Sequence, residues 1–191
     1  MRALIRTGLA ASVAWAGAAQ AEVTTKSDDG FALTLSVETA ASKGDAWREL
    51  LTPAHWWAAE HTWSGDPANL YIDGQATGCF CEKLPRPKDA PEGQRMGSVE
   101  HLHVVYADPQ AGLLRMTGAL GPLQSEPVRG TMTVTLKPGA GGTRIELTYR
   151  VAGFVTMKGT ELAPLVDKVL GDQLARLAER LNVPPETQPA K

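Results

Sequence analysis

Between Thr160 and Leu181, apolar residues recur at Leu162, Leu165, Val166, Val169, Leu170, Leu174, Leu177 and Leu181. Those are the three- and four-residue steps of one broad helical face. Pro164 is compatible with a helix only in its first turn, which sets the start near Thr160, and Asn182-Val183-Pro184-Pro185 ends it. At 1.5 Å per residue such a helix is ~33 Å long, enough to cross a whole sheet. A lone helix of that length must bury its stripe, so the rest of the chain has to supply a wide apolar surface.

The preceding residues supply strands. Residues 31–39 alternate apolar and polar and predict a strand. Ser42 with Asp45 is close to a capping box, so a short helix is expected over Ala46 to Leu51, and Thr52-Pro53 starts a second. Asn69 to Ile72 reads as a short extended piece between the turn signals Asp66-Pro67 and Asp73-Gly74. Five further strands are predicted at about 75–82, 98–107, 112–119, 128–137 and 143–151. Pro85, Pro87, Pro91 and Gly93 make the first connection a long polar loop, and Asp108 to Gly112 is a tight hairpin. Pro138 to Gly142 is glycine-rich, yet it lacks the following helix and the Lys-Ser/Thr of a phosphate-binding loop, so it too reads as a hairpin turn.

The N-terminus carries a different signal. Arg2 and Arg6 precede an uncharged stretch from Thr7 to Gly17, which closes on Ala19-Gln20-Ala21. That is the pattern of a secretory signal peptide over residues 1–21, with small residues where a signal peptidase reads them. No Cys follows the cleavage site, which argues against a lipid anchor. Residues 22–29 are expected to be a lead-in, residues 30–181 one domain, and residues 182–191 a polar tail too poor in apolar residues to fold. A periplasmic or secreted location follows, and with it an environment in which Cys79 and Cys81 can be oxidised. No later apolar run of about 18 residues exists, so no integral membrane segment is expected after cleavage. Nineteen Lys and Arg against 21 Asp and Glu exclude a chain-wide basic footprint for nucleic acid.

One strand, two short helices, a run of hairpin-linked strands and a long terminal helix make an α+β pattern. With Pro53-Ala-His-Trp-Trp57, Gly78-Cys-Phe-Cys-Glu82, Val104-Val-Tyr106 and Gly118-Ala-Leu-Gly-Pro122, it resembles the START/Bet v 1-like (SRPBCC) superfamily, in particular its polyketide-cyclase-like and Hsp90-ATPase-activator-like bacterial branch. The resemblance spans about residues 30–181. It implies a helix-grip fold, a curved antiparallel sheet wrapped around the C-terminal helix, with a hydrophobic cavity between them. It also implies a small hydrophobic partner such as a lipid, sterol or polyketide, with cyclisation or dehydration in a minority of members. An Hsp90 partner does not carry over, because that ATPase is cytosolic. A monomer is expected.

Candidate residues sort by face. Alternation turns Met132, Val134, Leu147, Tyr149, Leu102, Val104 and Tyr106 inward, with Met116, Leu114 and Phe80 on the same lining. Trp56, Trp57 and Trp63 are expected at the cavity mouth as an aromatic gate; packing of the short helices onto the sheet is the plainer alternative. The hydroxyls of Tyr106 and Tyr149 are candidates to orient a ligand's polar end. For an enzyme, Glu82, Tyr106 or His61 would be the general acid or base. Cys79, Cys81, His101 and His103 can fall on one outer face if their strands are neighbours, which would suit zinc or copper; a Cys79–Cys81 disulfide and two free thiols are the other readings. Three functions follow in order: a carrier for a hydrophobic molecule, a cyclase or dehydratase using the same cavity, and a metal-binding or redox module.

The export reading has a direct check. N-terminal sequencing of the exported protein should begin at Glu22, and recovery of Met1 would exclude the cleavage.

Overall fold

Alternation in residues 31–39 demands that one face of that strand be covered. The computed structural model, which describes residues 20–182, buries Phe31, Leu33, Leu35, Val37 and Thr39 and leaves their neighbours nearer solvent. Eight strands form one antiparallel sheet: β1 (Gln20–Ser27), β2 (Gly30–Thr39), β3 (Leu70–Ile72), β4 (Cys79–Leu84), β5 (Gly97–Asp108), β6 (Leu113–Gly118), β7 (Val128–Pro138) and β8 (Thr143–Gly153). Their order is β1-β2-β8-β7-β6-β5-β4-β3, so strands 3 to 8 follow one another as neighbours and β2 returns to pair with β8. The curved sheet carries α1 (Lys43–Leu50) and the 24-residue α2 (Gly159–Asn182) on its apolar face, matching the α+β architecture read from the sequence.

Several boundaries differ from the sequence reading. Residues expected as a lead-in belong to β1, which pairs with β2 from Gln20 to Ser27. Val23 is the one large apolar side chain in that stretch, too little alternation to predict a strand; the pairing is supplied by the exposed edge of β2. In place of a second short helix the chain makes three-residue 3-10 turns at Pro53–His55, Ala59–His61 and Pro67–Asn69. Asn182, assigned to the tail, ends α2. The proposed signal peptide lies outside the described residues up to its last two positions, and residues 183–191 lie outside them too.

Both ends of α2 are fixed to β2 and its hairpin. At the start, Gly159 sits so close to the β1–β2 turn that a Cβ would stand 2.4 Å from the Ser27 carbonyl oxygen, and its N–H donates to the Asp28 carbonyl at 3.0 Å. At the end, Asn182 Oδ1 accepts from Ala40 N–H at 3.0 Å and from Thr39 Oγ1 at 3.1 Å. Ala163, fully buried, keeps the first turns close to the sheet. The helix therefore packs chiefly on β2 and β1. Leu170, Leu174 and Leu177 are buried on its other flank, each contributing ~1.5–3 kcal/mol if its burial is complete. Leu165, by contrast, is exposed, being on the edge of the stripe.

Two β-bulges re-aim side chains. Val105 is an extra residue between the pairs Val104–Met116 and Tyr106–Arg115, and His101 is an extra residue opposite β4 between Phe80–Leu102 and Cys81–Glu100. An extra residue reverses the in-out phase beyond it. Tyr106 thus faces solvent at 45% exposure, correcting the inward assignment, while Ala107 packs on the core.

The sheet also depends on a close approach at Gly130, where a Cβ would stand 2.5 Å from the Tyr149 ring and 2.7 Å from the Gly118 carbonyl oxygen. Gly130→Ala is expected to destabilise the fold by about 1–3 kcal/mol. Urea unfolding with an unchanged m-value would show it as a lower midpoint.

Candidate functional site

Because α2 is held against β2, the sheet beyond β8 curves away from it, and a narrow cavity of about 30 Å³ remains. Its walls come from most of the elements: Leu170, Gln173, Leu174 and Leu177 of α2, Leu50 of α1, Ile72 of β3, Phe80 of β4, Met116 of β6, Met132 and Val134 of β7, and Leu147 of β8. Trp56 and Trp57 close it. In this form it has room for little more than a water or two. Two of its walls are methionines, whose unbranched thioethers repack more readily than other apolar side chains.

The closing segment, Pro53 to His61, is tied down by the burial of Pro53, Trp56 and Ala58 and by polar contacts. Trp56 donates its indole N–H to the Glu49 carbonyl at 2.9 Å, and Trp57 donates to the His61 carbonyl at 2.9 Å. Both rings therefore satisfy their polar edge while presenting their faces inward, Trp57 packing edge-on to Phe80 with centroids 5.1 Å apart. Arg176 Nε donates to the Trp56 carbonyl at 2.9 Å, and Ala58 N–H donates to Gln173 Oε1 at 2.8 Å. Glu49 Oε1 stands 2.9 Å from His55 Nδ1 and 3.1 Å from Arg180 Nε, joining α1, the segment and α2. Outside the Ala58–Gln173 contact lies an open recess of about 320 Å³ lined by Glu60, His61, Asp172, Arg176 and Glu179. Gln173 borders both spaces.

A second cluster stands beside the cavity without lining it. Glu82, fully buried, accepts from Trp63 N–H at 3.1 Å, Ser64 N–H at 2.5 Å and His101 Nε2 at 2.9 Å. Burial works to raise the Glu82 carboxyl, but the hydrogen bonds from Ser64, the Trp63 backbone and His101 outweigh it and hold it below its usual 4.5. Burial likewise holds the His101 imidazole below 6.5, against the pull of the carboxylate. Next to them Cys79 and Cys81 form a disulfide, with Cα atoms 5.4 Å apart.

Comparison with known proteins bears on the fold. The structure superposes on a protein of Rhizobium leguminosarum with a TM-score of 0.52 at 19% identity, covering 85% of this chain and 98% of that one. A protein of Rhodobacter sphaeroides gives 0.51 at 16% identity, covering 85% and 97%. Ara h 8.0201, a Bet v 1 homologue, gives 0.51 at 11%, covering 80% and 98%. The chain has the Bet v 1-like helix-grip fold. At these identities the likeness speaks for the fold alone. No family model matches the sequence. A 94-residue stretch is 38% identical to a mycothiol acetyltransferase of Cellulomonas flavigena, but it spans only 27% of that protein's length.

Within the helix-grip frame the expected residues divide. Trp56, Trp57, Phe80, Met116, Met132, Val134 and Leu147 do line the cavity. Leu102 and Val104 are core residues beside it, and Trp63 is turned outward at 55% exposure because its backbone is held by Glu82. Tyr149 is fully buried, but its hydroxyl accepts from Leu120 N–H at 3.3 Å and donates to the Gly118 carbonyl at 3.4 Å; burial pushes it up to about 12. It fixes the loop after β6. The three acid-base candidates are dispersed, with Glu82 sealed, Tyr106 on the surface and His61 in the outer recess. The four proposed metal ligands do not converge. Both sulfurs are used in the disulfide, His101 is turned inward to Glu82 by the bulge, and His103, on the surface, faces Glu100 at 3.3 Å. Among the described residues no group of three His, Cys, Asp or Glu side chains is placed to hold a metal. Gln173 is the lining residue that the apolar pattern of α2 passes over.

The Glu82–His101 pair predicts acid sensitivity. Each group has a folded pKa below its unfolded value, so the unfolded chain binds more protons and stability falls as pH drops. The loss begins below about 6.5 for His101 and below about 4.5 for Glu82. Glu82→Gln is expected to cost about 1–3 kcal/mol at pH 7. Denaturant unfolding should then show a steeper dependence between pH 7 and 5 in this variant, where the imidazole loses the carboxylate that raises it, and a shallower one below about pH 4.5, where the Glu82 titration is gone; unchanged slopes in both ranges would exclude the pair as the origin.

Proposed function

We propose that this chain is an exported binding protein that holds a small, uncharged hydrophobic molecule between the sheet and α2. The observation that carries the reading is the lining. Apolar side chains from α1, α2 and five strands meet around one narrow space, under an irregular segment that contributes Trp56 and Trp57 and is hydrogen-bonded to Gln173 and Arg176. Sites for small molecules have this form: mostly apolar, with one or two placed polar groups. The helix-grip fold, whose resembled superfamily binds lipids, sterols and polyketides, supports the same reading. Since the closed cavity is small, loading requires Trp56 to His61 to swing out and Met116 and Met132 to repack. Export is supported by the N-terminal Arg-apolar-Ala-x-Ala pattern and by the Cys79–Cys81 disulfide, which persists in oxidising compartments. The lining is apolar apart from Gln173 and the two indoles, the composition of a binding site, which supports the carrier reading.

A neutral fluorophore tests this. N-phenyl-1-naphthylamine should bind the native protein with a stoichiometry near one and be displaced by sterols or other uncharged lipids. Val134→Phe, which fills the wall from β7, should weaken binding at least tenfold while changing stability by about 1–3 kcal/mol. Absence of dye binding together with a more stable Val134→Phe variant would show that the space is merely core.

A further inference from the structure

Gln173 is an anomaly of α2. It lies three residues after Leu170 and four before Leu177, on the apolar face, and it is only 1% exposed. Its Oε1 accepts from Ala58 N–H at 2.8 Å, whereas its Nε2 is buried with no hydrogen-bond partner among the described residues. The orientation of the carboxamide is fixed by chemistry, since a backbone N–H must face the oxygen and not the amide nitrogen. Leaving such a donor unpaired costs about 1–3 kcal/mol. The other polar groups on the lining, the indoles of Trp56 and Trp57, already donate to backbone carbonyls.

We infer that Gln173 reads the ligand: its Nε2 donates to a neutral oxygen acceptor, a ketone, ester or ether, on an otherwise apolar molecule. This rests on the binding-protein reading and adds the ligand's chemical class. A carboxylate is disfavoured, because among the described residues no cation lines the cavity to offset the cost of burying its charge. A pure hydrocarbon leaves the donor unsatisfied. The same side chain also latches the closing segment through Ala58, so the group that recognises the ligand is also the one that holds the lid.

Acetophenone and ethylbenzene differ in little but the carbonyl, and their Kd values can be measured by calorimetry or from the Met116 and Met132 methyl signals. The ratio of the two Kd values should change about tenfold, against the ketone, between the parent and Gln173→Leu. Using the ratio in both proteins cancels the unequal cost of removing the two probes from water. In the parent alone, the carbonyl stretch of bound acetophenone should lie below its value in hexane, a readout that stands even if the variant does not fold. Binding of both probes with an unchanged ratio, or a hexane-like stretch in the parent, overturns the role of Gln173 and leaves the binding function intact. Binding of neither probe overturns both.

Discussion

Everything that distinguishes the interior of this protein from a filled core follows from how α2 is held. Gly159 admits the β1–β2 turn at one end, and Asn182 accepts from Thr39 and Ala40 at the other. A rigid rod fastened at both ends along one side of a curved sheet cannot also follow the opposite side. The resulting gap falls between Leu170, Leu174 and Leu177 and the strands β4, β6 and β7. Had the helix been fastened near the sheet centre, those leucines would have met Met116 and Met132 directly.

The segment that closes the gap is built differently from the rest of the core. Residues 53–61 include two 3-10 turns, and their attachment combines the burial of Pro53, Trp56 and Ala58 with hydrogen bonds to Arg176, Gln173 and Glu49. The neighbouring stretch is anchored in another way, with Trp63 and Ser64 donating to the buried Glu82. A short irregular segment outside the strand ladder can open without unpairing the sheet, whereas the hairpin-linked strands open only with the whole sheet.

Residue pattern alone located much of the cavity. Alternation picked out Met132, Val134 and Leu147, and helical spacing picked out Leu170, Leu174 and Leu177, because side-chain direction in regular elements follows from period alone. Where the ladder is irregular that inference breaks down. Val105 turns Tyr106 to solvent, and the bulge at His101 places that ring beside Glu82 while separating it from Cys79, Cys81 and His103. Nothing local marks a bulge, since the extra residue is accommodated by pairing with a neighbouring strand whose register the period does not encode. Gln173 left a faint trace, a polar residue on an apolar helical stripe, which becomes meaningful only with Ala58 beside it.

By itself the sequence determined the order of the strands from β2 onward and of the two α-helices, the burial of α2 against a sheet and the alternating faces of β2, β7 and β8, all of which depend on neighbours three, four or two residues apart. Tertiary structure decided the register of β4 against β5, the choice of a disulfide from among the states open to Cys79 and Cys81, and the pairing of the buried Glu82 with His101, Trp63 and Ser64. It also decided the size of the cavity and the unpaired donor in its wall. These depend on distances between residues far apart in the chain, such as the 115 positions separating Ala58 from Gln173, and no local period encodes such distances.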